Sequence, residues 1–308
     1  EALAKPKTPI NLPVLSWKQT AQGLLDLIRS DGYQFKFVDE AVPSPLSFGD
    51  HPRSELAPCT SALPAISIVT VIRDGYFFVR MLVERVREFV GSRQYEIIAV
   101  DRGSTDGIAD WLALQPDVTL IKLEQRVTVG HGHGEAAEFG IRVARHDRIV
   151  LLDSDAFPIR GDWLELTADR LDARNRLAGA RFSSRHAGNP HGWYVHPHFM
   201  AFFKADVGTL VKLRKLKGVD TDTGEEATMR VLASGYEVLA YPIEYDARFD
   251  VGRPNIPTIS AGVFHAWYIS RLEHEEDEVI RETDGAISRS TYSAPLQNKL
   301  RQFFNVTY

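Results

Sequence analysis

Cysteine is almost absent from this chain of 308 residues, because Cys59 is the only one. A lone cysteine excludes an intramolecular disulfide framework and a zinc site built from cysteines, and it suits a reducing compartment. Nowhere do about eighteen apolar residues follow one another, so the sequence predicts no membrane-spanning helix. These absences favour a soluble protein of the cytoplasm.

Positive charge is not in excess either. The chain has 36 lysines and arginines against 41 aspartates and glutamates, a formal net charge of -5. Such a balance creates no overall positive field, so nucleic acid is not expected as a partner. The absence of a G-x-x-x-x-G-K-[ST] loop excludes a P-loop nucleotide site. Gly130, Gly132 and Gly134 stand between a strand and a helix, but their spacing is wrong for a dinucleotide site.

Prolines set the first part of the chain apart from the rest. One helix-like stretch, Trp17–Ile28, lies between prolines that break up any longer regular element. We therefore predict a proline-rich N-terminal arm with one helix over residues 1–64, which is also a candidate contact for a homodimer. Residues 273–308 begin with an acidic cluster and are predicted to form a C-terminal tail.

From Ile66 onward, short apolar runs alternate with amphipathic stretches, a pattern typical of repeated βαβ units. The predicted strands are Ile66–Ile72, Glu96–Val100, Val118–Leu123 and Arg148–Leu152, with helices at Tyr76–Val90, Thr105–Leu114 and Glu135–Arg145. Next come a helix from Asp162, strands at Leu177–Phe182 and Phe199–Phe203, helices at Asp206–Leu216 and Glu225–Ser234, and a strand at Tyr236–Tyr241. The pattern predicts an α/β domain over residues 65–272 with a mainly parallel sheet.

Acidic side chains follow several of the predicted strands. Asp74 comes just after the first strand, Asp101 follows the second, and the fourth leads directly into Asp153-Ser154-Asp155. Ligands of an open parallel sheet bind beyond the carboxyl ends of its strands. Carboxylate oxygens bind Mg²⁺ or Mn²⁺, although an isolated D-x-D more often caps the next element. The position after a buried strand favours a divalent cation site that would hold a diphosphate.

Two other features have both a structural and a functional interpretation. Glu225 and Glu226 begin a predicted helix, where acidic residues interact well with the helix dipole, but a carboxylate there is also a candidate general base. His265 lies in an apolar run, where a histidine is usually a core residue, but it is also a candidate metal ligand. His131 and His133 are either exposed loop residues or metal ligands.

Five segments together resemble, in order and spacing, the GT-A-fold glycosyltransferases of family 2. They are Ile66–Val71, Tyr95–Asp106, the helix through Gly140 and Ile141, Ile149–Asp155, and Gly224–Tyr236. The resemblance implies a Rossmann-like sheet flanked by helices, with a nucleotide-sugar half over 65–160 and an acceptor half over 161–272. It implies an inverting enzyme that moves a sugar from a nucleotide diphosphate donor, a UDP-sugar, to a hydroxyl of a saccharide, a natural product or a lipid-linked sugar.

The resemblance also implies roles for individual residues. Glu226 matches the family's general base, and Glu225 matches the acidic residue before it. A divalent cation, Mn²⁺ or Mg²⁺, would be held by Asp155 together with Asp153 and His265. The residues at or beside the family's donor-binding positions are Thr70, Arg73, Asp74, Asp101, Asp153 and Ser154.

Three positions depart from the family's pattern, and at one of them Glu226 is a glutamate where aspartate is usual. Arg102 stands where an acidic residue usually follows Asp101, and Glu138 stands where asparagine is common. These departures leave open a glycosyltransferase-like module that binds a partner or carbohydrate without catalysis. A sugar-1-phosphate nucleotidyltransferase is a third interpretation, although the segment after the first strand lacks the glycine-rich basic loop that such an enzyme needs. Because many family members act on lipid-linked acceptors, a location at the periphery of a membrane is also an expectation.

Overall fold

A computed structural model describes residues 63–123, 132–213, 222–251, 257–267 and 289–308. The chain divides into two compact units, Glu1–Pro58 and Cys59–Tyr308, and all described residues belong to the second. The predicted helix Trp17–Ile28, Cys59 and His131 lie outside the described residues. Among the described residues, no helix combines the length and the apolarity needed to cross a membrane.

The described part of the chain alternates strands and helices in its first half, as predicted. The strands are β1 Ile66–Ile72, β2 Tyr95–Asp101, β3 Val118–Lys122, β4 Arg148–Asp153, β5 Ala156–Pro158, β6 Asn175–Ser183, β7 Trp193–Phe203, β8 Glu237–Tyr241, β9 Glu244–Tyr245, β10 Thr258–Ser260 and β11 Val263–His265. The α-helices are α1 Tyr76–Phe89, α2 Ile108–Ala113, α3 Gly132–Val143, α4 Trp163–Leu166, α5 Glu225–Ala233 and α6 Arg289–Phe304.

The strands form a large sheet in the order β3-β2-β1-β4-β7-β6-β8 and a small sheet in the order β5-β11-β10-β9. Strands β1 to β4 pair in parallel, β7 is antiparallel to both of its neighbours, and β8 is parallel to β6. The prediction of an α/β fold with a mainly parallel central sheet is therefore confirmed.

The two faces of β1 bury different sets of residues, because side chains alternate along a strand. Ile68 and Ile72 belong to the core that includes α1, whereas Val69 belongs to the core that includes α3. The approach of α3 is close: a Cβ on its Gly140 would lie 2.8 Å from side-chain carbons of Val69 and Val100. Both faces of the sheet are thus covered, which explains why its central strands are continuous apolar runs.

The predicted helix Asp206–Leu216 is wrong within the residues described. A short 3-10 turn, Lys204–Asp206, is followed by an isolated bridge between Val207 and Val211. Gly208 has a φ of 84°, a left-handed conformation that a continuous α-helix cannot contain. The amides of residues 209, 210 and 211 donate instead to the carbonyl oxygen of Asp206. The remaining residues of the predicted helix, 214–216, lie outside the described part.

The last residues of the chain form a helix that packs on the main unit. In α6, Leu296 and Leu300 are fully buried in the core shared with α1. Phe304, the last residue of α6, contacts Phe157 of β5 with ring centroids 6.1 Å apart. The C-terminal residues therefore contribute apolar surface to the same core as the sheet.

Candidate active site

The register of the large sheet brings the predicted acidic residues to one edge. Ile72 is paired with Asp101, and Val71 with Asp153, so the ends of β2 and β4 flank the end of β1. Asp74 lies two residues after the end of β1 and has a φ of 56°. All three carboxylates therefore lie at the carboxyl edge of the parallel strands, where ligands of such sheets bind.

Asp74 and Asp101 are buried and are connected through one serine. Oδ1 of Asp101 accepts hydrogen bonds from the backbone N–H of Ser104 at 2.9 Å and from its hydroxyl at 2.6 Å. The Ser104 hydroxyl in turn accepts from the backbone N–H of Asp74 at 2.8 Å. Oδ1 of Asp74 accepts from the amides of Thr105 and Asp106. The turn after β2 is thereby fastened to the segment after β1.

The other predicted donor-binding residues differ in exposure. Thr70 is fully buried, and among the described residues its hydroxyl has no hydrogen-bond partner. Arg73 is exposed beyond the end of β1, and Ser154 is half-buried in the turn between β4 and β5. Arg73 and Ser154 therefore lie where a bound donor could reach them, whereas Thr70 lies beneath that surface.

The second sheet brings His265 to the aspartates, although more than 100 residues separate them. Antiparallel pairing of β11 with β5 places His265 opposite Ala156, and the amide of residue 266 donates to the carbonyl oxygen of Asp155 at 3.1 Å. Nε2 of His265 lies 3.3 Å from Oδ1 of Asp155 and 3.9 Å from Oδ2 of Asp153. We call these three residues the Asp/His cluster.

The Asp/His cluster has the chemistry and the geometry of a divalent cation site. Its three candidate ligand atoms lie within 4.8 Å of one another, and Asp155 and His265 are buried. Carboxylates are suitable ligands for Mg²⁺ or Mn²⁺, and imidazole is a ligand for transition metals. Among the described residues, Oδ1 of Asp153 is buried and accepts no hydrogen bond. The residues present therefore fit a bound cation.

His133 is also close to the Asp/His cluster. It lies in the first turn of α3, half-buried, with Nε2 at 3.5 Å from Oδ1 of Asp153. The sequence left His133 open between an exposed loop residue and a metal ligand. In the structure His133 is neither fully exposed nor one of the three residues of the Asp/His cluster, and it lies next to Asp153.

Two histidines that the sequence analysis did not select lie behind the cluster. His196 and His198 of β7 are both buried, and the ring of His198 stacks on the ring of His265 with centroids 4.2 Å apart. Burial, and then the neighbouring rings of His265 and His196, lower the pKa of His198 well below its ordinary value. A signal was available, because side chains two residues apart in a strand point to the same face.

His196 connects this group to the loop before α5. Its Nε2 lies 3.3 Å from Oδ2 of Asp222, which also accepts a 2.8 Å hydrogen bond from the hydroxyl of Tyr194. Burial alone would raise the pKa of Asp222, but the hydrogen bonds from His196 and Tyr194 hold it well below its ordinary value. Asp222 is therefore an ionised acceptor at neutral pH.

The predicted acidic pair begins α5 as expected, and both residues are buried. Oε1 of Glu225 accepts hydrogen bonds from the Ser184 hydroxyl and from Nδ2 of Asn189, the latter at 2.9 Å. Oε1 of Glu226 accepts a 2.6 Å hydrogen bond from Nε of Arg230, one helical turn further along. Glu225 thus holds the loop between β6 and β7, whereas Glu226 pairs with a cation of its own helix.

Gly224 explains how α5 approaches β7 so closely. Its φ is 93°, and a Cβ there would lie 2.6 Å from the carbonyl oxygen of Val195. A residue with a side chain would be both strained and in collision with the backbone of β7. The start of α5 is therefore tightly placed, and the two glutamates with it.

Comparison with known proteins gives one family. The model of glycosyl transferase family 2 matches residues 67–231, more than half of the chain. No curated protein matches the sequence. The matched span contains both aspartates of the Asp/His cluster and the acidic pair, but not His265.

Comparison with solved structures gives matches of low sequence identity. The mannosyltransferase PcManGT from Pyrobaculum calidifontis, in complex with GDP-Man and Mn²⁺, is 19% identical, with 78% of this chain and 70% of that chain covered and a TM-score of 0.48. Glucosyl-3-phosphoglycerate synthase from Mycobacterium tuberculosis, with phosphoglyceric acid, is 19% identical over 48% of this chain and 58% of that chain, with a TM-score of 0.38. TarS of S. aureus is 12% identical, with 79% of this chain and 72% of that chain covered and a TM-score of 0.42.

Proposed function

The chain belongs to glycosyl transferase family 2 and is a glycosyltransferase, and on this basis we propose a metal-dependent, inverting transfer from a nucleotide diphosphate sugar to a hydroxyl acceptor. The observation that carries the proposal is the Asp/His cluster at the edge where Asp74 and Asp101 also lie. A nucleoside could occupy the side of the two linked aspartates while its diphosphate faces the cluster. A nucleotidyltransferase is not favoured, since the family match concerns sugar transfer.

Asp153, Asp155 and His265 are the proposed ligands of the cation. A bound Mn²⁺ or Mg²⁺ would supply positive charge to stabilise the departing diphosphate. Asp155 is well placed to share a cation with His265, because its side chain is only 5% exposed and its Oδ1 lies 3.3 Å from Nε2 of His265. Asp153, at 23% exposure, faces solvent more, so a cation held there would also be accessible to a phosphate oxygen or a water.

Glu226 is the proposed general base, which removes the proton of the acceptor hydroxyl as its oxygen attacks the anomeric carbon. Arg230 at 2.6 Å and Lys212 at 4.0 Å from Oε1 hold the carboxylate at the start of α5. Glu225 is less suited, because its Oε1 accepts two hydrogen bonds and its Oε2 lies 3.4 Å from the backbone N of Asp222. We therefore assign proton removal to Glu226 and support of the loop between β6 and β7 to Glu225.

The donor proposal is a UDP-sugar, and the acceptor proposal remains at the level of a hydroxyl on a saccharide, a natural product or a lipid-linked sugar. Arg102 stands where the family usually has an acidic residue, so the family's pattern does not identify which nucleobase the donor carries. Other nucleoside diphosphates therefore belong in the first binding test. A cytoplasmic location and a homodimer stay predictions.

Thermal unfolding tests the donor and metal sites together. The full chain and Asp155→Ala are unfolded with UDP, GDP, dTDP or ADP, each with and without Mn²⁺. A ligand at about 100 times its Kd stabilises the folded state by about 2.7 kcal/mol. We expect stabilisation by one nucleotide, dependent on Mn²⁺ and lost in Asp155→Ala. No shift with any nucleotide in the presence of Mn²⁺ would refute the donor site.

Sugar transfer by Glu226→Gln tests the base. Removing a general base costs about 10²- to 10⁴-fold in turnover, and glutamine preserves the size of the side chain. Nucleotide binding with Mn²⁺ should be retained, because Glu226 is not a proposed ligand of the donor. Glu225→Gln is the matched variant, and we expect it to lower the unfolding temperature more than Glu226→Gln does. Loss of nucleotide binding in Glu226→Gln would remove Glu226 from the role of base.

A further inference from the structure

His265 is oriented in an unusual way for a metal-binding histidine. Its Nε2 faces the two aspartates, whereas its Nδ1 is buried and has no hydrogen-bond partner among the described residues. Histidines that bind metals usually donate from their second nitrogen to an acceptor that fixes the plane of the ring. The plane of His265 must be set by packing instead.

The packing partner is His198. The two rings are nearly parallel, with 6° between their planes and 4.2 Å between their centroids. Trp267 also packs against His265, with ring centroids 4.7 Å apart and an angle of 46° between the ring planes. His198 and His265 are 1% and 4% exposed, so the ring of His265 cannot turn without displacing its neighbours. The orientation of His198 thus determines that of His265.

Hydrogen bonds fix the ring of His198 and also assign the tautomers. The backbone N–H of His198 donates to Nδ1 of His196 at 3.2 Å, so Nδ1 of His196 is an acceptor. Nδ1 of His198 lies 2.8 Å from the same atom and must therefore be the donor of that pair. His196 then carries its proton on Nε2, 3.3 Å from the carboxylate of Asp222.

We propose that Asp222, His196 and His198 form a positioning chain that orients His265 for a divalent cation. The proposal rests on the metal site of the proposed function and adds residues that do not themselves touch the cation. The chain also reaches the acidic pair, because the backbone N of Asp222 is 3.4 Å from Oε2 of Glu225. A series of hydrogen bonds between Glu225 and His198, completed by the stacking of His198 on His265, thus connects the proposed metal ligand with the start of α5.

Mn²⁺ binding to the full chain tests the positioning chain without an activity assay. Free Mn²⁺ is measured by electron paramagnetic resonance, with and without UDP. Loss of residues that orient a metal ligand typically weakens metal binding about 10- to 100-fold, and we expect this for His198→Ala. His198→Phe should recover only part of the affinity, because it retains a flat ring against His265 but has no nitrogen to donate to His196. Asp222→Ala should weaken binding more than Asp222→Asn, which retains an acceptor oxygen for His196.

Phe182→Leu is the control for a general change in packing. The ring centroid of Phe182 lies 5.1 Å from that of His196 and 5.0 Å from that of Trp267. Phe182 takes no part in the hydrogen bonds of the positioning chain. Co²⁺ in place of Mn²⁺ gives visible absorption bands that depend on ligand geometry. At saturating Co²⁺, His198→Ala should alter these bands and Phe182→Leu should not.

The outcomes separate this inference from the proposed function. If wild type binds Mn²⁺ through Asp155 while His198→Ala and Asp222→Ala bind it equally well, the positioning chain is refuted and the metal site stands. Equal weakening in Phe182→Leu would refute it as well. If wild type does not bind Mn²⁺ with any nucleotide, the metal site and the positioning chain both fail. Should His198→Ala not fold, unchanged affinity in Asp222→Ala is decisive against the chain.

Discussion

Replacing Gly224 by alanine should both destabilise the protein and impair catalysis. Gly224 precedes the acidic pair, and its φ of 93° places it in the left-handed region. A residue with a Cβ loses about 1–2 kcal/mol in that conformation. The Cβ would also lie 2.6 Å from the carbonyl oxygen of Val195, and overpacking of this kind costs about 1–3 kcal/mol.

The two effects together predict a loss of about 2–5 kcal/mol in the free energy of unfolding. For a unit of this size, 1 kcal/mol corresponds to about 2–4 °C, so the unfolding temperature should fall by about 4–20 °C. Moving α5 away from β7 to relieve the collision would displace Glu226. Turnover at a temperature where the variant is folded should therefore fall as well.

Gly235→Ala is the matched control. Gly235 has a φ of 79°, but a Cβ there would have nothing within 4 Å. This variant should lose only the about 1–2 kcal/mol of the left-handed conformation. It should keep its turnover, because Gly235 lies at the far end of α5. Equal unfolding temperatures for the two variants would refute the close contact between α5 and β7.

Three further predictions concern stability. Leu300→Ala should cost about 2–5 kcal/mol in denaturant unfolding, because Leu300 is fully buried; a smaller loss would mean that α6 is not part of the core. The hydrogen bond from Arg87 lowers the pKa of Asp117, so the ionised side chain stabilises the folded state. This contribution to the free energy of unfolding is fully present above about pH 4 and is lost as pH falls through the lowered pKa. Asp117→Asn should make unfolding less dependent on acid, and an unchanged acid profile would contradict this. Asn189→Ala should increase proteolysis in the loop between β6 and β7, since it removes a hydrogen bond to Glu225; unchanged cleavage would count against that anchor.

Much of the large sheet could be predicted because its signals are local. Three of the four runs, those that became β1, β2 and β4, are buried on both faces, and such strands are recognisable as continuous apolar segments. Asp101 and Asp153 could be assigned to the ligand-binding edge for the same reason, since the ends of adjacent parallel strands meet there. The helix that begins with the acidic pair could be predicted from the spacing of its apolar residues and from Gly235 at its end.

The errors and omissions arise where distant contacts override local preference. The segment after Asp206 has apolar residues at helical spacing, but Gly208 and the pairing of Val207 with Val211 make it irregular. In the opposite sense, α6 begins in a Ser/Thr-rich stretch and contains Pro295, so its composition argues against a helix. It forms because Leu296 and Leu300 are buried against the main core, and tertiary packing supplies most of a helix's stability.

The sequence by itself determined which chemical groups this glycosyltransferase has and on which kind of element each one lies. Only the tertiary structure decided which of them meet. His265 reaches Asp155 because β11 pairs with β5, and Asp222 reaches His196 although no local pattern in the sequence indicates that contact. The physical reason is that propensity and periodicity are properties of short stretches of consecutive residues. Contact between strands that are remote in sequence depends instead on how the whole core is packed.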